Sequence, residues 1–214
     1  MFCMKTRLLR FLSAPLLAIS LVLSVFGAPA RAATDLELAQ EWLTTWNTYK
    51  FTQVADPLPE GRSRASQSIS IVIDAPRSQV FWAYSNFNNH IGANPVLERV
   101  VTHSDTTSYG VESRRLTAIE VIPMDPAPLT LNTHACQKLY LADYYYTVDS
   151  WSTGNIVTHQ KITFEKITGN KTKVTENLTF ETPTELIDLA LVSGVQAHQG
   201  IQTVLKQRIE SGAL

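Results

Sequence analysis

Apolar residues recur along this chain with two different periods, and the places where the period changes divide it into elements. Within 34–49, Leu38, Trp42, Leu43, Trp46 and Tyr49 fall at helical spacing and predict an amphipathic helix. Thr34 is placed to cap it, and Asp35 and Glu37 suit the positive end of its dipole. Such a stripe packs either on the domain that follows or on a membrane surface. A membrane-surface helix usually carries a basic polar face, which this one lacks almost entirely. Residues 57–66, with Pro, Gly and Arg, read as a linker.

From 66 onward the period is two. Ile69, Ile71 and Ile73 alternate with Ser68, Ser70 and Val72, as in a half-buried strand. Asp74 ends the strand and can cap a short helix, with Pro76 near its first position and Phe81, Trp82 and Tyr84 giving it an aromatic face. A broken helical turn over 86–95 follows. Strands are then predicted at about 96–104, 110–122, 130–141, 143–151, 155–166 and 172–182, with turns at 105–109 and 168–171. The Asp125-Pro126-Ala127-Pro128 stretch is a loop. No crossover helix separates these strands, so the sheet should be antiparallel. Thr182-Pro183-Thr184-Glu185 then reads as a capping box opening a helix of about 28 residues, with Leu186, Leu189, Ala190, Ser193, Ala197, Ile201, Val204, Leu205 and Arg208 at helical spacing. Gly194 and Gly200 lie inside it.

The N-terminus changes the picture of where this happens. Lys5, Arg7 and Arg10 precede an almost wholly apolar stretch over 11–26, and Ala28-Pro29-Ala30-Arg31-Ala32 offers the small residues a signal peptidase reads. The pattern predicts a cleavable secretion signal over 1–32. The cut is favoured after Ala32, with Ala30 as the other option. The apolar run, interrupted by Pro15, is short for a membrane anchor. The mature protein is expected to be periplasmic or secreted, with no transmembrane segment. A net charge of −1 gives no reason to expect nucleic acid or a membrane surface as a partner. With Cys3 removed, Cys136 is left alone, so packing rather than a disulfide must hold the fold.

The order of elements, with the string from Ile71 through Ala75-Pro76 to Val80-Phe81-Trp82, resembles the START-like, or SRPBCC, superfamily. The resemblance covers about 66–212 and leaves out the helix at 34–49. It implies an α+β helix-grip fold, in which a curved antiparallel sheet of six to seven strands wraps around a long C-terminal helix. An apolar cavity would lie between them, and the N-terminal helix is an addition. The division that follows is a signal peptide (1–32), an amphipathic helix and linker (33–65), and a helix-grip domain (66–214). The superfamily includes lipid-transfer domains and polyketide cyclases and dehydratases.

Independently of the resemblance, the last two strands each present one apolar side: Ile156, Ile162 and Phe164 on one, Val174, Leu178 and Phe180 on the other. Glu176 shares the side of Val174 and Leu178, and Gln160 interrupts the apolar side of its neighbour. A buried carboxylate must find a partner, shift its pKa upward or meet a ligand. Glu176 is therefore either a cavity acid, base or anchor, or a carboxylate paired with an Arg or Lys of a nearby strand. Arg114 and Arg115 point oppositely, so one faces inward and is a candidate partner. Tyr144 and Tyr146 are assigned to one sheet face, Tyr145 and Trp151 to the other, where they could brace the Trp42/Trp46 helix. Ser193, Gly194, Ala197 and Gly200 either leave space beneath the long helix or let it approach closely.

The cavity candidates are thus Glu176, Gln160, Phe164, Phe180, Tyr144, Tyr146, Arg114, Ser193 and Ala197. His134 and Cys136 share a strand face, but a metal needs three or four protein ligands, and no HExxH or CxxC occurs. A mid-strand thiol reads as inert rather than nucleophilic, and His198 as a partly exposed helix residue. No metal, cofactor or catalytic set is expected. The function implied is binding of a hydrophobic small molecule or lipid. A cyclase- or dehydratase-like enzyme using cavity acid–base residues is the alternative.

Overall fold

A computed structural model describes residues 33–214; the secretion signal expected over 1–32 lies outside the described residues. Seven strands form one antiparallel sheet: β1 (Arg62–Ile73), β2 (Leu97–Ser108), β3 (Val111–Ile122), β4 (Leu129–Tyr140), β5 (Tyr145–Ser152), β6 (Ile156–Ile167) and β7 (Lys171–Pro183). Their order across the sheet is β1-β7-β6-β5-β4-β3-β2. The strands β2 to β7 form a run of hairpins, whereas β1 joins the far side, against β7. Consecutive strands β1 and β2 therefore occupy opposite edges. The chain between them must cross the whole sheet, and it does so as α2 (Arg77–Ser85) and a short 3-10 turn, Phe87–His90.

The long helix α3 (Ile187–Glu210) lies on this same face, against β1 and β7. Its C-terminal half joins α2 in the main core, where Ile201, Leu205 and Ile209 meet Val80, Phe81, Tyr84, Phe164 and Val174. Its N-terminal half packs Ile187, Ala190, Leu191 and Val195 on Ile69, Leu178 and Phe180. Phe180 fits because residue 194 is glycine: a Cβ there would overlap the Phe180 ring. Small residues thus bring helix and sheet together at this point instead of leaving a void.

The opposite face of the sheet is covered by α1 (Asp35–Tyr49). Thr34 and Glu37 form a reciprocal capping box at its start. Trp42 is buried against Phe51 and Val157, and its indole N–H donates to the Ala135 carbonyl at 2.9 Å. Tyr49 stacks on Trp151 at 4.7 Å and Arg115 lies over the Trp42 ring. Hence the helix at 34–49 packs on the sheet. No helix among the described residues is long and apolar enough to cross a membrane.

Several boundaries differ from those the sequence predicts, each for a local reason. The stretch 62–65, expected as linker, is strand, because Arg62 to Ala65 pair with Pro183 to Phe180 of β7. The same pairing keeps Thr182 in the sheet, so it caps nothing. Its hydroxyl donates to the Pro183 carbonyl, and α3 begins after a 3-10 turn with no side-chain cap. The helix consequently has 24 residues. The hairpin between β2 and β3 turns at Tyr109-Gly110, both at positive φ, which extends β2 to Ser108 beyond the predicted end at 104.

The two helical glycines should respond to alanine with opposite signs. At Gly200 no atom lies within 4 Å of a new Cβ, so Gly200→Ala should stabilise by about 1 kcal/mol through helix propensity. At Gly194 the same gain is outweighed by about 1–3 kcal/mol of overpacking against Phe180. Denaturant unfolding should show a net loss of about 1 kcal/mol that Phe180→Leu in the same chain reverses. Stabilisation by Gly194→Ala would contradict the contact.

Candidate functional site

Where α2 and the 3-10 turn cross the concave face, they leave two adjoining chambers. The outer one has a volume of about 420 Å³ and runs between Trp82, Ser85 and Asn86 above and Thr102, Asp105, Arg114 and Gln137 below. The inner one, about 120 Å³, is bounded by His90 and Asn94, by Tyr146, Ser150, Gln160 and Glu176 on the sheet, and by His198 and Ile201 on α3. Phe87, Val100 and Leu116 line both. Period-two alternation explains the lining: Arg114, Leu116, Ala118 and Glu120 of β3 and Thr133, Ala135 and Gln137 of β4 are the concave-facing residues of their strands.

Gln137 sets the chemistry of the outer chamber. It is 1% exposed; its amide donates to the Ser85 carbonyl at 3.0 Å, and its Oε1 has no hydrogen-bond partner among the described residues. Arg114 also reaches the Ser85 carbonyl, at 3.4 Å, while its guanidinium is paired with Asp105 at 3.0 Å and with Glu112. Among the lining residues, Gln137 thus keeps a neutral, unpaired acceptor buried behind the chamber surface, and Asp105 contributes a carboxylate.

In the inner chamber, Glu176 is 4% exposed on the concave face of β7. Its two oxygens are held from α3: His198 Nδ1 lies 2.7 Å from Oε2, and Gln202 Nε2 donates to Oε1 at 2.8 Å. Residues 198 and 202 are one helical turn apart and so present both donors on one side. Nδ1 is therefore the protonated nitrogen, and Nε2 has no partner among the described residues. Beside this pair, His90 Nε2 contacts the Tyr84 carbonyl at 2.9 Å, which makes Nε2 the donor and leaves Nδ1 as an acceptor. Loss of solvent around the His90 ring pulls its pKa down to about 4, against the opposing pull of that hydrogen bond and of the Glu176 charge. Burial, and next the Glu176 charge, raise the Tyr84 phenol well above its ordinary range, and its hydroxyl has no hydrogen-bond partner among the described residues. Tyr146 is raised for the same reasons.

The residues picked from sequence separate into four groups. Glu176, Gln160 and Tyr146 line the inner chamber and Arg114 the outer one. Phe164 lies in the core among Phe81, Tyr84 and Tyr146, and Phe180 lies under Gly194. Tyr144 is in the turn before β5, at positive φ, packed on Phe81 and under Arg77. Ser193 and Ala197 are exposed, so the helix face expected to bound the cavity points outward. Arg114, the inward-facing one of the two arginines offered as a candidate partner of Glu176, is paired with Asp105 and Glu112 instead. The sequence pattern does not mark His198, Gln202, His90 or Gln137 as cavity residues. Alternation placed Gln137 on the Ala135 face, which is the signal that would have found it.

On the convex face, His134 bonds Thr117 through Nδ1 at 2.9 Å and stacks on Trp151, and Cys136 packs beside the Trp42 cluster. Burial pushes the Cys136 thiol up, away from the reactive thiolate. Among the described residues no three His, Cys, Asp or Glu side chains gather as a metal site would require.

No protein-family model and no curated protein matches this sequence. Solved structures do. An aromatase/cyclase from a Streptomyces species superposes with a TM-score of 0.56 at 11% identity, over 71% of this chain and 97% of that one. A START superfamily protein from Mycobacterium smegmatis gives 0.51 at 13% identity, over 68% of this chain and 97% of that one. The architecture is therefore the helix-grip fold, with α1 added on the convex side. The chain has the START-like, SRPBCC fold that its element order and Ala75-Pro76 turn resemble.

The His90 environment predicts an acid-sensitive contribution to stability. Its folded pKa of about 4 lies below the ordinary 6.5, so between these values the unfolded chain binds a proton that the folded chain does not. The contribution is present above about pH 6.5 and fades as the pH falls towards about 4. Between about pH 7.5 and about pH 4.5, the wild type should lose about 2 kcal/mol more than His90→Gln in urea unfolding. Parallel losses in both would show that the imidazole is not held neutral by the fold.

Proposed function

We propose that the protein is exported, is processed near Ala32, and binds a compact, largely apolar small molecule in the two-chamber cleft. The charged, apolar and small-residue succession of 1–32 supports export. The observation that carries the binding reading is the outer chamber itself, with Gln137, whose buried Oε1 is unpaired, among its lining residues. A buried acceptor left unpaired costs about 1–3 kcal/mol, and a ligand O–H or N–H placed there recovers it. The outer volume of about 420 Å³ falls in the usual range for small-molecule sites. Leu116, Val100 and Phe87 supply the apolar walls, and Glu176 with His198 supplies a polar group at the inner end.

This arrangement favours a ring-sized molecule with a hydrogen-bond donor over a lipid with two acyl chains. The Streptomyces neighbour is described as an aromatase/cyclase, so a cyclic or polyketide-like skeleton is a reasonable occupant of the same kind of space. At the outer chamber itself the groups present are those of recognition: an amide acceptor, an ion-paired arginine and two aromatic rings.

Native mass spectrometry of protein purified from its own host should reveal a co-purifying compact molecule, released unchanged on denaturation. Gln137→Leu should lower its occupancy or affinity about 10-fold or more. Thermal stability should change little, because the orphaned acceptor is removed together with the amide donor to the Ser85 carbonyl. Equal ligand retention by wild type and Gln137→Leu would overturn the role given to this residue, and an invariably empty protein would overturn the reading itself.

A further inference from the structure

The inner chamber holds more polar machinery than binding an apolar molecule needs. Glu176 fixes His198 through Nδ1, and Gln202 holds the second carboxylate oxygen. The imidazole therefore presents the unpartnered Nε2 as its basic atom, on a side chain that lines the chamber. Opposite α3 on the sheet floor stands Gln160. It lies across from Leu178, two pairs along from the Ile162–Glu176 pair, so Gln160 and Glu176 are diagonal neighbours on one face. The Gln160 carboxamide has no hydrogen-bond partner among the described residues. A base held by a carboxylate, a free amide donor and an apolar wall thus surround one small volume.

We propose that His198 is a general base–acid for a carbonyl compound bound in the inner chamber, with Glu176 and Gln202 as positioning residues and Gln160 as the donor to the carbonyl oxygen. His198 Nε2 takes a proton from the carbon next to the carbonyl. The C–H electron pair becomes the C=C bond of an enolate, and the carbonyl π pair moves onto oxygen, where Gln160 N–H donates to it. The imidazolium so formed is neutralised by Glu176. It returns the proton to the same carbon, or to the far end of a conjugated system, which shifts the double bond. Protons and electrons balance without a cofactor or an oxidant. The substrate class is a compact cyclic ketone or enone whose ring fits the inner volume of about 120 Å³.

The inference rests on the cleft being a ligand site, and one experiment separates the two. The purified protein is incubated in D2O with cyclohexanone or β-tetralone; deuterium incorporation beside the carbonyl is followed by proton NMR, and binding by the probe's line broadening. Wild type should exchange about 100-fold faster than His198→Ala, in line with what a positioned general base contributes. Free imidazole should restore part of the rate to His198→Ala, which a merely structural role would not allow. Glu176→Gln should lower the maximal rate about 10-fold or more with little change in the probe concentration for half-maximal rate. Binding of the probes without exchange above buffer overturns the catalytic inference and leaves the binding reading intact. Failure of both probes to bind overturns both. Exchange that His198→Ala leaves unchanged assigns the proton transfer elsewhere and overturns the role of His198.

Discussion

A carboxylate on the buried face of a strand constrains everything packed above it. Removing Glu176 from water costs several kcal/mol unless donors replace the lost solvent, and the donors come from α3. That sets the rotation of the helix about its axis, since His198 and Gln202 must both face β7. It also sets the height, because bonds of 2.7 and 2.8 Å tolerate little slack. Gly194, His198 and Gln202 form one row at i, i+4 and i+8, and they run along β7 from Phe180 to Glu176. The glycine lets the backbone descend onto the Phe180 ring, and the descent brings the two donors within reach. Packing and polar pairing along this row are a single requirement.

Topology supplies the space beside that row. With β1 and β2 at opposite edges, the connection between them has to cross the concave face, and α2 with its 3-10 turn is too short to fill it. Phe87 reaches the sheet between two unfilled volumes. The convex face has no such freedom, because α1 closes it with Trp42, Trp46 and the Ala135 hydrogen bond. A sheet braced on its outer side can keep an underfilled inner side without losing its curvature.

The strands were legible because alternation survives wherever one face is covered, and Glu176 was legible as a break in that alternation. What failed was the face of the long helix. Apolar and small residues pointed to Ser193 and Ala197, but the inward row contains His198 and Gln202. Polar side chains that face inward to satisfy a carboxylate lower the apolar contrast from which a helix face is read. Arg114 failed for a different reason. Its partner Asp105 is adjacent only because β2 slips register between Thr102 and Ser104. Such a bulge has no signature in the alternating pattern. Thr182 looked like a cap because capping motifs are local, whereas its place in β7 is decided by β1, more than a hundred residues earlier.

A cleft between a sheet and a helix can be a packing defect or a site, and the orphaned groups distinguish the two. A defect is apolar; it stays empty and strands no donor or acceptor. Four buried side-chain atoms have no hydrogen-bond partner among the described residues. Two of these are convex-face histidine nitrogens lying 3.4 Å from Glu41 and 3.9 Å from Glu181, where a charge is at hand. The other two, Gln137 Oε1 and the Tyr84 hydroxyl, belong to the concave side, and Gln137 lines the outer chamber directly. A leucine at 137 would fill comparable volume without the unpaired Oε1, at the loss of the amide's hydrogen bond to the Ser85 carbonyl. The glutamine makes sense as a group held for an occupant, and the Glu176–His198 pair at the inner end gives that occupant a second polar contact. An apolar molecule gripped at both ends by polar groups can lie in the cleft in only one direction, so the inner carbon it brings to His198 is set by the contact it makes at Gln137.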